Sequence, residues 1–299
     1  MFKNLNISVL GNAGNQSEII EEALTHGFRA MDLNIVDFAN RAKTRGMPYA
    51  KRLIESSKIR IGTFTLPLDL ESDDDVFKAK LAGLADWAAA AAEVGCSRCV
   101  TTVQPAGDRL PYHENFTVHR DRLAEICRVL RPSGVHLGIA FRADAELRRE
   151  KAFQFIHEMD AILLLAKMVN APNLGINLDV WDMLVAGGSL ETLRAVPVEQ
   201  IVAVQLADAP EDLPLEKLTE KSRILPSLGG RFDIPAVLVA LAEMGYKGPV
   251  AVKPHRSALP SSRSDSIVSA IGRSLDAVWK AAGLTPQGVL AAPAASTEA

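Results

Sequence analysis

The sequence predicts one α/β domain folded as a closed (β/α)8 barrel. Short apolar runs of strand character alternate with helix-like segments along the chain, as they do in parallel βαβ units. Eight such units within 299 residues match this barrel. A doubly wound open sheet is built from the same units, but no GxGxxG loop follows the first predicted strand. We predict a barrel over residues 1–285 and a flexible tail over residues 286–299.

Eight segments are predicted to form the strands, because each is a short apolar run bounded by turn residues. In chain order their sequences are NISVL, RAMDLN, RIGTFTLPL, SRCVTTVQP, GVHLGIAFR, NLGINLDV, IVAVQLAD and GPVAVKPH. The helices between them are expected to start near capping or acidic residues and to stop near glycine or proline. They are predicted from Ser17 to Gly27, in a region that ends near Ser57, from Val76 to Glu93, and over residues 116–130, 152–169, 234–246 and 264–283.

Composition and charge limit the classes of partner. The chain has 33 basic and 36 acidic residues, so no nucleic acid and no anionic membrane is expected to bind it. The N-terminal residues lack the long apolar region of a secretory signal, and the alanine-rich run Trp87–Ala92 is too short to cross a bilayer. Three cysteines, an odd number, favour a reducing compartment, so a cytoplasmic protein is expected. Cys96 and Cys99 form a CxxC pair without a second pair or a nearby histidine, and we expect buried thiols.

Two aspartates are the first candidates for chemistry. Asp179 lies at the end of the sixth predicted strand, and Asp208 lies at the end of the seventh. A carboxylate is costly to bury at the end of a parallel strand, so both side chains are expected to face a cleft. Active sites of (β/α)8 barrels lie at this end of the strands. We therefore predict that both aspartates are catalytic.

Four segments carry a more specific pattern. They are GFRAMDLN at the second strand, GINLDVWDMLVAGG at the sixth, VQLADAP at the seventh, and RILPSLGGRFDIPAVLVALAEMGYKGPVAVKPH, which ends in the eighth. Together they resemble the xylose isomerase-like TIM barrel family of sugar-phosphate isomerases and epimerases, over nearly the whole chain. The resemblance implies isomerisation or epimerisation next to a carbonyl, in which a divalent ion such as Mn²⁺ or Zn²⁺ polarises the substrate and a carboxylate moves the proton.

The metal site that the resemblance implies is mostly replaced in this sequence. The family holds its ion with a glutamate on strand five, an aspartate on strand six, a histidine on strand seven and a glutamate on strand eight. Those four positions are occupied here by Ala140, Asp179, Gln205 and Lys253. Alanine has no ligand atom, glutamine offers only a neutral amide, and lysine adds a positive charge. We therefore expect no divalent metal cofactor.

Lys253 is the third catalytic candidate, and three interpretations of it are open. It can pair with Asp179 and neutralise that charge as a metal would. It can bind a carboxylate or phosphate of the substrate, or it can act as a base or a Schiff-base nucleophile. A weaker alternative keeps a metal at a relocated site, formed by Asp32, Asp179, Asp182 and Asp208.

Six further residues near the strand ends are predicted to bind substrate. An amide can hydrogen-bond a sugar hydroxyl, arginines can clamp an anion, and an indole can stack on a sugar face. Each also has a structural interpretation, such as barrel packing, a rim position or an exposed loop. The six are Gln205, Arg223, Trp181, Arg142, His255 and Asp182, the last standing where the family pattern has a histidine.

Two functions follow as hypotheses. The first is a sugar isomerase-like or epimerase-like protein that acts on or binds a sugar or sugar acid without the usual divalent metal. The second is a non-catalytic binding or regulatory homologue that partners an active enzyme. Loss of three ligand positions favours the second, and the retained aspartate-bearing strands favour the first. A homodimer is expected from the resemblance alone.

Overall fold

A computed structural model describes residues 1–11, 15–259 and 263–291, which form a closed barrel of parallel strands. Each strand pairs with its neighbours in the sequence, and the eighth pairs with the first. The predicted (β/α)8 barrel is therefore confirmed. The barrel strands are β1 Phe2–Leu5, β2 Ala30–Leu33, β3 Arg60–Thr65, β4 Arg98–Thr102, β5 His136–Ala140, β6 Leu174–Asp179, β7 Ile201–Leu206 and β8 Pro249–Val252.

Helices surround the barrel and bury their apolar faces against the strands. Apolar residues of the strands and the inward faces of these helices form one hydrophobic cluster. A short antiparallel pair, Ala106–Gly107 with Phe153–Gln154, joins the loops that follow β4 and β5. The helices are α1 Gln16–Thr25, α2 Ile35–Arg45, α3 Met47–Ser57, α4 Asp74–Ala82, α5 Leu84–Ala92, α6 Tyr112–Leu130, α7 Met159–Val169, α8 Val180–Val185, α9 Leu190–Arg194, α10 Ile234–Glu243 and α11 Ser264–Ala281.

The first predicted strand was placed too late in the chain. β1 is the segment before NISVL, and Ile7–Leu10 forms a 3₁₀ turn instead. The side chain of Asn6 accepts hydrogen bonds from the backbone and the hydroxyl of Ser8, at 3.0 and 2.7 Å, which caps this turn. A local side-chain bond therefore overrides the apolar pattern that suggested a strand.

Three helix predictions also need correction. The helix predicted over residues 152–169 begins only at Met159, and Phe153–Gln154 before it pairs as a strand. α1 is capped by Asn15 rather than Ser17, because the Asn15 side chain accepts the backbone N–H of Glu18 while the Glu18 carboxylate accepts that of Asn15. The helix predicted from Val76 to Glu93 is two helices, since α4 ends and α5 begins on either side of Gly83. Glycine has a poor helix propensity, which favours a break in the helix at this position.

The end of the described chain is folded onto the start. Thr285 and Val289 close a turn through a backbone hydrogen bond of 2.8 Å, and the Met1 amino group donates to the Gly288 carbonyl at 3.1 Å. The part of the predicted tail up to residue 291 thus packs against the N-terminus. Residues 292–299 of that tail lie outside the described residues. Within the described ranges, no helix is long and apolar enough to cross a membrane.

Candidate functional site

The loop between β7 and α10 folds back over the C-terminal mouth of the barrel. Asp208 and Ile224 exchange backbone hydrogen bonds of 3.0 and 2.9 Å, and the N–H of His255 donates to the Arg223 carbonyl at 2.9 Å. These bonds fix the loop against the ends of β7 and β8. They place the side chain of Arg223 inside the mouth, beside the end of β6.

Arg223 is the centre of a buried ion-pair network. Its side chain is fully buried, and Nη1 lies 2.9 Å from each carboxylate oxygen of Asp179. Nη2 lies 2.5 Å from Oδ2 of Asp182, and Nε donates to Glu220 at 3.0 Å. The guanidinium also lies over the ring of Trp181, 4.4 Å from the centroid. All three guanidinium nitrogens are engaged by the protein itself.

The local fold of the sixth βα unit brings the two aspartates together. Asp179 ends β6 and is the N-cap of α8, so its side chain accepts the backbone N–H of Asp182 at 3.3 Å. The carboxylate of Asp182 is also fixed by the backbone, because its Oδ1 accepts the N–H of Ala143 at 2.8 Å. Each carboxylate is therefore held by a backbone N–H group and by one nitrogen of the guanidinium.

The two carboxyl groups have opposite pKa shifts. Burial acts to raise the pKa of Asp179, but the charges of Arg223 and Lys253 and the bonds from Arg223 hold it below its usual value. Burial, and then the charge of Asp179, raise the pKa of Asp182 to about 7. Near neutral pH Asp179 is therefore ionised, whereas Asp182 titrates.

Lys253 stands at the edge of this network. Its Nζ lies 3.8 Å from Oδ2 of Asp179, which is beyond hydrogen-bond distance, and 24% of its side chain is exposed. Burial first, and the charges of Arg223 and Arg142 next, lower the pKa of Lys253, against the opposing effect of Asp179. Arg223 lies closer to Asp179 than Lys253 does, so the charge compensation predicted for Lys253 is supplied mainly by Arg223.

Arg142 and Glu220 tie the loop after β5 to the loop after β7. Arg142 donates to the carboxylate of Glu220, and the backbone N–H of Glu220 donates to Asp144 at 2.7 Å. Arg142 and Arg223 were both predicted to clamp a substrate anion. In this structure the two arginines bond to carboxylates of the protein, and Arg223 is closed off from solvent.

Asp208 does not face a cleft, which corrects the sequence-based expectation. The residue is fully buried, and Oδ1 accepts the N–H groups of Ala209 and Phe232 at 2.8 and 3.1 Å. A Cβ atom at Gly230 would lie 1.7 Å from Oδ2, so the loop can approach this carboxylate only with glycine there. The geometry gives Asp208 the role of anchoring the loop that carries Arg223.

Trp181 and His255 also have structural surroundings. Trp181 is fully buried with its face against Arg223, so its ring is not open to a sugar. His255 is half-buried at the rim, where Nδ1 and the Ser257 hydroxyl lie 2.8 Å apart. The rim interpretation of His255 agrees with this position.

Gln205 faces the interior of the barrel. It pairs in register with Asp179 on β6 and with Ala251 on β8, and paired residues of neighbouring strands point to the same face. Its amide oxygen is buried and has no hydrogen-bond partner within the described chain. A buried acceptor without a partner is costly, so this oxygen is available to a hydroxyl donor.

Asp32 is a further candidate site residue, which the sequence analysis considered only for a relocated metal site. Its Oδ1 accepts hydrogen bonds from Asn4 and from the hydroxyl of Thr63, both at 2.7 Å, which fixes the carboxyl group at the β1–β3 side of the barrel. Burial raises the pKa of Asp32 to about 6, against the effect of these two bonds. The aspartate in the GFRAMDLN segment was the only signal for this residue in the sequence. Its hydrogen-bond partners, Asn4 and Thr63, come from two other strands.

The residues at the mouth do not fit a divalent ion. Ala140 has no ligand atom, Lys253 brings positive charge, and both oxygens of Asp179 are bonded to Arg223. Across the described ranges, no three His, Cys, Asp or Glu side chains are grouped so as to hold a metal. The relocated metal site suggested by the sequence is likewise not assembled. Asp179 and Asp182 both bond to Arg223, whereas Asp32 bonds to Thr63 and Asp208 bonds to the N–H of Phe232.

Comparison with known proteins agrees with the fold. The family model described as "Xylose isomerase-like TIM barrel" matches residues 20–273. No curated protein matches the chain. A xylose isomerase domain protein from Alicyclobacillus acidocaldarius subsp. acidocaldarius has 23% identity and a TM-score of 0.84, with 94% of this chain and 99% of that chain covered.

Two other solved structures have the same fold at lower identity. The IOLI protein, described with a binding zinc atom, has 18% identity and a TM-score of 0.75 over 94% of this chain and 99% of its own. D-psicose 3-epimerase from Clostridium cellulolyticum H10, solved with D-tagatose, has 14% identity and a TM-score of 0.72 over the same shares, 94% and 99%. The family match spans most of the chain, so this protein belongs to the xylose isomerase-like TIM barrel family.

Proposed function

We propose that the chain binds a sugar-derived small molecule at the C-terminal mouth of the barrel and moves a proton next to its carbonyl without a divalent ion. The observation that carries this proposal is the Arg223 guanidinium, which holds both Asp179 and Asp182 through bonds of 2.9 and 2.5 Å. It supplies a fixed positive charge beside the one family ligand that is retained. The mouth thus keeps an organised set of charges that needs no bound ion.

Asp32 is the carboxyl group best suited to the proton transfer. A group with a pKa near the working pH both gives and accepts a proton efficiently, and the pKa of Asp32 is about 6. Asp179 is less suitable, because its pKa is lowered and both its oxygens are bonded to Arg223. Gln205 offers an unpartnered buried oxygen to a sugar hydroxyl.

The test combines metal analysis with solvent deuterium exchange. Purified protein is dialysed against manganese, zinc and magnesium, washed and assayed for bound ions, and a panel of ketoses, aldoses and keto acids is followed by NMR in deuterated water. We expect protein that holds less than one metal ion per chain to exchange the substrate's hydrogen next to the carbonyl for deuterium. The rate of this exchange should fall about 100-fold in Asp32→Asn. Asp37→Asn, on the exposed face of α2, is the matched control and is expected to leave exchange unchanged. A stoichiometric ion that survives washing and is required for exchange would refute the proposal.

The non-catalytic alternative has one observation in its favour. Arg223 occupies both oxygens of Asp179, so the residue that the family uses at a metal is closed to substrate. A binding or regulatory homologue would show a ligand-dependent rise in melting temperature but no deuterium exchange with any probe of the panel. Exchange that disappears in Asp32→Asn would exclude this alternative.

A further inference from the structure

One cation of the barrel mouth lies outside its hydrogen-bonded network. The two arginines are both bonded to carboxylates, Arg223 to Asp179 and Asp182, and Arg142 to Glu220. Lys253 makes no hydrogen bond through Nζ within the described ranges, and its nearest carboxylate oxygen is 3.8 Å away. That oxygen already accepts a bond from Arg223. The ammonium therefore has a neighbour of opposite charge but no partner of its own.

The strand register places Lys253 inside the mouth. Its backbone N–H donates to the Leu206 carbonyl at 2.8 Å, which extends the pairing of β8 with β7 by one residue. Ala251 pairs with Gln205, and Lys253 lies two residues beyond Ala251, so the three side chains share the inner face. With 24% of its side chain exposed, Lys253 is partly accessible from solvent.

Polar acceptors without partners lie below Lys253 on the same face. Asn177 is two residues before Asp179 on β6, and Asn4 pairs in register with Ala251, so both belong to the inner face that Gln205 shares. The side-chain oxygens of Asn4 and Asn177 are buried and, like that of Gln205, have no partner in the part of the chain that the structure describes. Such acceptors match the O–H donors of a polyhydroxylated molecule.

We propose that Lys253 binds the anionic group of a polyhydroxylated ligand, so that the substrate is a sugar acid or sugar phosphate and not a neutral sugar. An ammonium that is partly removed from water and lacks a hydrogen-bonded partner gains most from a ligand with a full negative charge. The hydroxyl groups of that ligand donate to the amide oxygen of Gln205. This inference rests on the proposed function, since it names the substrate class of the same site.

Calorimetric titration of the full chain tests the proposal. The probes are D-gluconate, glucose 6-phosphate, inorganic phosphate and the neutral polyol D-glucitol. We expect one of the sugar anions to bind at least about tenfold more tightly than D-glucitol. The preference should disappear in Lys253→Met and persist in part in Lys253→Arg, which keeps the charge. Lys247→Met, an exposed lysine at the opposite end of the barrel, is the matched control.

The probes distinguish a carboxylate ligand from a phosphate ligand. Their outcomes also distinguish failure of the anion site from failure of the proposed function. Gln205→Leu is expected to weaken gluconate or glucose 6-phosphate while leaving inorganic phosphate unchanged. Equal binding of D-glucitol and the anions would overturn the anion site yet leave the proposed function standing. If none of the probes binds, the anion site is likewise overturned. The deuterium-exchange assay then tests the proposed function separately. Binding through Lys253 without any exchange would support the anion site and refute the isomerase chemistry.

Discussion

Nη1 of Arg223 lies 2.9 Å from both carboxylate oxygens of Asp179, although the two residues are 44 positions apart in the chain. The arginine comes from the loop after β7 and the aspartate from the end of β6. The guanidinium therefore contacts the aspartate that the resemblance to the family implies as a metal ligand. The consequences can be measured.

Removing the Arg223 side chain is expected to destabilise the protein strongly. Arg223→Met leaves Asp179 and Asp182 buried without their cation, and breaking a buried pair in this way costs about 3–5 kcal/mol in the free energy of unfolding. Urea unfolding followed by circular dichroism measures the loss. The control is Arg194→Met, whose pair with Glu243 is about half exposed and should contribute less than about 1 kcal/mol. Similar losses in the two variants would contradict a buried network.

The titration of Asp182 is expected to make stability fall as pH rises. Its pKa is about 7 in the folded chain and near its ordinary value when unfolded, so the folded state binds the extra proton between those values. The stability that this proton provides is complete below about pH 4 and is lost as pH rises through about 7.

Asp182→Asn isolates this effect, because asparagine cannot ionise and its oxygen can still accept the Ala143 N–H. The unfolding free energy of the variant minus that of the parent should increase from about pH 4 to about pH 7 and then level off. Urea titrations at several pH values measure the difference. A difference that is constant with pH would show that Asp182 is ionised throughout.

Asp208 is expected to anchor the loop and not to take part in chemistry. Asp208→Ala removes the acceptor for the Ala209 and Phe232 N–H groups, at a cost of about 1–3 kcal/mol, while Asp208→Asn retains an oxygen there. Hydrogen exchange should show faster exchange of the Phe232 amide in the alanine variant only. Full stability of both variants together with lost activity would instead assign Asp208 to catalysis.

The cysteines are expected to be inert in the folded protein. All three are buried, and burial raises the pKa of Cys96 and of Cys127 to about 12 and that of Cys99 above its usual value. A thiol reagent at pH 8 should therefore react with none of them until denaturant is added. Fast labelling of Cys96 or Cys99 in native protein would contradict the burial of these thiols.

The fold was largely accessible from the sequence, because its signals are local. Seven of the predicted strand segments contain the observed strands, since each is a short apolar run between turn residues. The errors arose where short-range side-chain bonds, a glycine, or the strand pair between Ala106–Gly107 and Phe153–Gln154 changed the backbone. Asn6 turns NISVL into a 3₁₀ segment, and Gly83 divides the helix predicted from Val76 to Glu93.

The site was only partly accessible. The resemblance to a family identified Asp179 and the replaced ligand positions, but it did not show which cation meets Asp179 or that Asp208 is enclosed by its loop. Asp32 has the same limitation, because Asn4 and Thr63 join it from neighbouring strands. These contacts depend on strand register and loop closure, which residue spacing along the chain does not encode.

The sequence by itself determined the alternation of strands and helices and the barrel, and its resemblance to a family predicted that three ligand positions are replaced. Only the tertiary structure decided that Arg223 bonds to both Asp179 and Asp182 and that Lys253 has no hydrogen-bonded partner among the described residues. The physical reason is that periodicity and composition act over a few residues, whereas burial of a charge is settled by whichever opposite charge the closed loop brings within reach.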